Sequence, residues 1–145
     1  MQTPLIRRLQ SEDADVISQI YVAITRDPDE SDFRRIATEQ AQISSGASFV
    51  AEVDGKVVGY MIGYILPGVF GIKSSAWLAM MGVSPPYMGR GIGQSLALAF
   101  FAHAKSQGLQ QVYTSVRWDS TDLLSYFKRL GFDRSNFINL IKKLS

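Results

Sequence analysis

Between residues 83 and 93 the chain reads Val83-Ser84-Pro85-Pro86-Tyr87-Met88-Gly89-Arg90-Gly91-Ile92-Gly93, with three glycines in five positions. An apolar run precedes this stretch and a segment of helical spacing follows it. Glycines let a backbone turn sharply and pass close to a bulky ligand. The first N–H groups of a helix have no acceptor within it and lie at its positive end. A glycine loop running into a helix is therefore a candidate grip for a phosphorylated cofactor. The spacing argues against two familiar nucleotide loops. The six-residue dinucleotide fingerprint is not met, and no Gly-Lys-Ser/Thr follows as in a triphosphate loop.

The elements that must position this loop can be read along the chain. Leu5 to Leu9 has strand character, and Ser11 is the expected cap of a helix carrying Val16, Ile20 and Ile24. Pro28 breaks that pattern. Ser31 is the expected cap of a second helix anchored by Phe33, Ile36 and Ile43, ending at Ser44-Ser45-Gly46. Ser48 to Val53 and Lys56 to Leu66 form a hairpin about Asp54-Gly55. Val69 to Lys73 reads as a loop. Ala76 to Val83 is nearly all apolar and reads as a central strand with both faces buried. A helix spans Gly91 to Ser106 with an inward stripe of Ile92, Leu96, Ala99, Phe100 and Ala104. Gln111 to Val116 is a strand, Ser120 can cap a helix from Asp122 to Leu130, and Phe137 to Leu144 is expected as the last strand. The order β-α-α-β-β-β-α-β-α-β implies an α/β (α+β) fold: one mixed, twisted sheet with helices on both faces, in a single domain over residues 1–145.

Composition narrows the functions. The 145 residues suffice for one domain with a real core. The absence of cysteine excludes disulfides, thiolate metal sites and cysteine nucleophiles. A net charge of +2, with basic residues scattered in pairs and no aromatic-basic platform, argues against nucleic acid. No secretion signal or long uncharged apolar run is seen, so an intracellular, cytoplasmic protein with no membrane partner is expected. His103, the only histidine, cannot define a metal cluster, and no metal is expected.

Three linked parts resemble the GNAT superfamily of acyl-CoA-dependent N-acyltransferases. They are the strand–glycine loop–helix unit from Ala76 to Gly108, the strand Gln111 to Val116 with its following helix, and Tyr126-Phe127-Lys128-Arg129-Leu130-Gly131-Phe132, which is similar to the family's aromatic-x-x-x-Gly-Phe signature. The resemblance implies transfer of an acetyl group from acetyl-CoA to a primary amine of a small molecule or peptide, with a homodimer as an option. It puts the diphosphate of CoA on the main chain of Met88, Gly89, Gly91, Ile92 and Gly93, with Arg90 near the phosphates or facing solvent. It puts the pantetheine arm along Met81 to Val83, on a strand that diverges from its neighbour, with Gly82 suited to a bulge or a close approach. A main-chain N–H near Met81 or Gly82 would polarise the thioester carbonyl.

The catalytic groups follow the family pattern less closely. The strand Ala76 to Gly82 has no carboxylate or histidine where many relatives place a base, which leaves Glu52, Glu39 and Asp119 as candidates. The tyrosine position that serves as acid in many relatives holds Phe127. Tyr126, one residue earlier, is the alternative acid. These departures support a second reading, a catalytically weak acyl-CoA-binding regulatory or interaction module. A third reading is acylation of a hydroxyl or transfer of a larger acyl chain.

Overall fold

Side-chain alternation along the long strand β3 (Lys56–Pro67) separates two helical layers. The computed structural model describes residues 3–43 and 46–145, so Ser44 and Ser45 of the expected helix end lie outside the described residues. The chain divides into two compact units, Met1–Thr114 and Ser115–Ser145.

The first unit holds five strands in the order β1-β2-β3-β4-β5. These are β1 (Leu5–Arg8), β2 (Phe49–Val53), β3, β4 (Ser74–Val83) and β5 (Val112–Thr114). The first four are antiparallel in sequence, and β5 joins β4 in parallel. A two-residue Asp54-Gly55 turn, both residues at positive φ, joins β2 to β3 as the sequence predicts. On one face Val50, Tyr60 and Ile62 pack with Ala14 and Ile17 of α1 (Ala14–Thr25) and with Phe33 and Ala37 of α2 (Ser31–Ala41). Tyr21 stacks on Phe33 at 4.5 Å, and Phe33 meets Tyr60 at 5.1 Å, forming an aromatic row under β3. On the other face α3 (Ile92–Ser106) lies so close to the sheet that a Cβ on Gly63 would sit 2.5 Å from the Phe100 ring. The mixed sheet with helices on both faces is thus as expected.

Several local expectations are corrected. Ser11 does not cap α1: residues 11–13 form a 3-10 turn, and the Asp13 carboxylate accepts the Gln10 N–H at 2.8 Å. Asp29, not Ser31, organises the entry to α2, accepting from both the N–H and the hydroxyl of Ser31 at 3.1 and 2.7 Å. A carboxylate is the stronger acceptor, which favours Asp29 over the Ser31 hydroxyl at the start of α2. The Val69 to Lys73 loop contains a 3-10 turn at Val69–Gly71. Burial of β4 is less complete than expected, with Ala79 exposed and Met80 and Met81 only partly covered.

In the second unit α4 (Thr121–Arg129) starts after Ser120, whose side chain makes no capping bond. It ends on Gly131, at φ 100°, with Phe132 N–H donating to Phe127 C=O at 3.0 Å and Gly131 N–H to Lys128 C=O at 3.0 Å. This is the Schellman pattern, completed by edge-to-face contact of Phe127 with Phe132 at 5.3 Å. The strand expected over Phe137 to Leu144 does not form. None of those residues lies in a strand.

Candidate active site

The central strand β4 carries an irregularity that its sequence does not announce. Ile62 pairs with Met80 and Gly63 with Leu78, so Ala79 is an extra residue opposite β3. An extra residue bends the strand and increases its twist. Pairing of β4 with β5 covers Ala76–Val112, Trp77–Tyr113 and Leu78–Thr114 and stops at the bulge. The rest of β4, through Val83, lies outside that ladder. The irregularity of β4 is at Ala79, not at Gly82. Gly82 instead permits a close approach: a Cβ there would lie 2.7 Å from the Tyr60 ring and hydroxyl, and 2.8 Å from Ile24.

Ser84 ties the end of β4 to β3, its N–H donating to Val58 C=O at 2.7 Å. Pro85–Tyr87 forms one 3-10 turn, closed by Tyr87 N–H on Ser84 C=O at 2.8 Å. The chain then passes through Gly89 and Gly91 at φ 79° and 78°. A Cβ at either glycine would meet nothing within 4 Å, so backbone conformation, not crowding, selects them. The first bond of α3 is Ser95 N–H to Gly91 C=O at 3.0 Å. The amides of Gly91, Ile92, Gly93 and Gln94 therefore have no acceptor inside the helix. No acidic residue occupies the first turn of α3, while His103 and Lys105 lie in its last turn. The positive end of the helix is left to an outside anion, and the donor set fits a diphosphate. Arg90 lies over the Tyr87 ring, its guanidinium carbon 5.1 Å from the centroid. Met88 is exposed beside the glycines.

The predicted acid–base residues occupy different settings. Glu52, on β2, is bonded to Arg7 Nε. Arg7 also grips Asp13 with both terminal nitrogens, at 2.8 and 2.9 Å. Burial works to raise the Asp13 pKa, but hydrogen bonds from Arg7 and the Gln10 N–H outweigh it and hold the carboxyl below its ordinary value. Glu39, on α2, is a loose partner of Arg35 at 3.8 Å. Asp119, in the second unit, accepts two bonds from Arg117 at 3.1 and 3.0 Å. Tyr126 lies on α4 with its hydroxyl buried and without a hydrogen-bond partner. Burial raises its pKa, with nearby Arg129 acting in the opposite sense. Phe127 is buried beside it.

Trp77 and His103 are engaged in aromatic packing. Trp77 stacks on Tyr113 at 4.9 Å and donates its indole N–H to Ser75 at 2.6 Å. His103 meets Phe49 edge-on at 5.8 Å. A recess lined by Arg8, Leu9, Gln40, Gly46 and Ser48 contains none of the predicted site residues. Among the described residues no group of three or more histidines and carboxylates could hold a metal ion, and no helix is long and apolar enough to cross a membrane. Sequence reasoning missed the Ala79 bulge, which alanine does not signal, and the Arg7 bridge, whose parts are far apart in the chain.

A bulged β4, an anion-ready helix start and a mixed sheet between two helical layers together define an acyltransferase fold. A family model described as "Acetyltransferase (GNAT) family" matches residues 14–132, and the chain belongs to that family of acetyl-CoA-dependent N-acetyltransferases. A mycothiol acetyltransferase of Saccharomonospora viridis is 32% identical over 132 residues, covering 86% of this chain but 43% of the relative. The chain thus spans less than half the length of that curated relative. Solved structures share the fold. An aminoglycoside N-acetyltransferase, AAC(6')-Iy, in complex with CoA superposes with a TM-score of 0.83 at 18% identity, over 99% of this chain and 96% of that one. A ribosomal-protein-alanine N-acetyltransferase from Brucella melitensis biovar Abortus 2308 gives 0.75 at 19% identity, over 98% and 100%.

Proposed function

We propose that this chain acetylates a primary amine of a small molecule by direct attack on the thioester of acetyl-CoA. The observation that carries the reading is the adjoining of two features: β4 leaves its β5 ladder at the Ala79 bulge, and the same strand runs into a helix start with unused amides. Acetyl-CoA supplies an activated acetyl group and an anionic handle. The main chain of Met88, Gly89, Gly91, Ile92 and Gly93 holds the diphosphate, and Arg90 adds positive charge. Met81 and Val83 offer strand hydrogen bonds to the amide-bearing arm, and an N–H of this segment polarises the carbonyl.

An alkylamine is largely protonated near neutrality and must lose a proton before attack. In this reading Glu52 or Asp119 accepts it through water, since each is already engaged by an arginine. Tyr126 holds its proton firmly and delivers it from its hydroxyl oxygen to the departing thiolate. The name of the Saccharomonospora viridis relative supports a small-molecule acceptor. Residues 1–145 supply one catalytic domain, which acts in the cytoplasm with no nucleic-acid partner.

A binding module remains the second reading, favoured by one observation: Phe127, at the usual acid position, is part of a helix cap and has no proton to give. The deciding experiment measures CoA thiol release with acetyl-CoA and a panel of amines, alongside calorimetry with CoA. Amine-dependent release supports the enzyme. Affinity for CoA with no release on any amine supports the module, and absence of affinity removes both.

A further inference from the structure

Register along β3 and β4 sorts the groups around residues 81–83 onto different sides. Gly82 lies opposite Tyr60, and Val83 opposite Gly59. One step further, Ser84 donates its N–H to Val58 C=O at 2.7 Å. Bonded and non-bonded pairs alternate along an antiparallel ladder. Gly82 therefore directs its backbone groups to Tyr60, and the amides of Met81 and Val83 turn to the opposite edge. Side chains alternate as well. A Cβ on Gly59 would meet Ile92 and Leu96 of α3 at 3.2 and 3.3 Å, so Met81 and Val83 carry their side chains on the α3 face. Gly82 faces the α1–α2 layer and has no side chain to offer there. The end of Tyr60 stands in its place: a Cβ on Gly82 would lie 2.7 Å from both Cζ and the hydroxyl oxygen. The phenol thus crosses from β3 over β4. It is 3% exposed and is held by Phe33 at 5.1 Å, which stacks on Tyr21 at 4.5 Å. Burial raises its pKa and keeps it neutral.

We propose that Tyr60 orients the acceptor: its hydroxyl oxygen accepts an N–H of the incoming amine on the α1–α2 face of Gly82. This assignment rests on the reading above that the thioester lies along Met81 to Val83. A carbonyl bonded to an edge amide lies near the plane of the sheet, so its two faces look toward the two helical layers. Met81 and Val83 cover the α3 side with their side chains. Gly82 leaves the α1–α2 side open, and the Tyr60 hydroxyl is the polar atom set against it. An ammonium that has lost its first proton through water has a lone pair and two N–H groups. Holding one N–H aims the lone pair at the carbonyl carbon. The N–C bond then forms, the surplus proton on nitrogen passes to solvent, and the C–S bond breaks as the tetrahedral carbon collapses. Tyr60 keeps its own proton throughout and touches the acceptor, not CoA.

Tyr60→Phe removes the hydroxyl and keeps the ring against Phe33 and Gly82. It is compared with wild type in CoA thiol release, with a diamine, an aminosugar and a phenylalkylamine as acceptors. On the amine with the highest wild-type rate, kcat/KM for the amine should fall about tenfold or more. KM for acetyl-CoA should be unchanged and the melting temperature not lowered, a split that a loss of packing does not give. Gly82→Ala pushes a methyl against the hydroxyl from the strand side and should produce the same selective fall, so a folding defect peculiar to Tyr60→Phe cannot decide the matter. Amine kcat/KM within about twofold of wild type in Tyr60→Phe, or a fall matched by a rise in KM for acetyl-CoA, would overturn the role of Tyr60 and leave the transferase reading intact. No thiol release by wild type on any of the amines would remove that reading and the role of Tyr60 with it.

Discussion

A buried phenol without a hydrogen-bond partner destabilises the state that contains it, and Tyr126 holds one. Tyr126→Phe separates a catalytic role from a structural one, because the two predict opposite changes. As the acid, its loss lowers kcat about a hundredfold, with KM for acetyl-CoA unchanged. Folding stability measured in urea rises by about 1 kcal/mol, since an unsatisfied group is removed. Equal kcat in the variant rejects Tyr126 as the acid. Burial raises the pKa of Tyr126 and of Tyr60, so the folded state keeps these protons longer than the unfolded chain does. Stability from this source is complete below about pH 10 and falls as pH rises beyond it. Gly91→Ala puts a side chain at φ 78°, where it meets no neighbour. We expect a loss of about 1 kcal/mol and a rise of at least tenfold in KM for acetyl-CoA, read by steady-state kinetics. An unchanged KM would argue that the loop does not hold the donor.

At the scale of elements, the reasons for two sequence signatures differ. The glycines of residues 89–93 set a helix start with its donors exposed. The aromatic-x-x-x-Gly-Phe stretch instead builds the end of α4, where Phe127, Gly131 and Phe132 make a cap. Phe127 is therefore explained by packing, and its lack of an acidic proton costs the fold nothing. The approach at Gly82 is tighter. Gly82→Ala would force a methyl against Tyr60, which the core encloses, and should cost about 2 kcal/mol in a denaturation experiment. The Arg7 bridge ties β1 to β2 and to the turn before α1. Arg7→Ala leaves Asp13 and Glu52 without their guanidinium, and we expect a loss of about 2 kcal/mol at neutral pH. The Asp13 pKa is lowered in the fold, so its contribution is present above about pH 4 and is lost as pH falls below that. The difference between wild type and Arg7→Ala should therefore shrink in acid.

For the molecule as a whole, a net charge of +2 and a pI near 9.0 favour encounter with an anionic donor. Raising salt from low to physiological strength should increase KM for acetyl-CoA a few-fold and leave kcat alone, because screening acts on the encounter. Much was legible from residue order alone. The Asp54-Gly55 hairpin, the apolar run of β4, the glycine loop and the stripe of α3 all rest on local conformational preference or simple periodicity, which a linear reading carries. The missing last strand shows the limit: Phe137 to Leu144 has the composition of a strand, but composition cannot supply a neighbouring edge. Ser11 and Ser31 had the right type for caps, but Asp13 accepts from Gln10 ahead of α1 and Asp29 accepts the N–H of Ser31 at the start of α2. What the chain order determined by itself was the family, the helix start and the glycine conformations. What only tertiary structure decided was the Ala79 bulge, the early end of the β4–β5 ladder and the arginine engagement of Glu52, because pairing register and long-range charge contacts depend on which parts of the backbone meet in space.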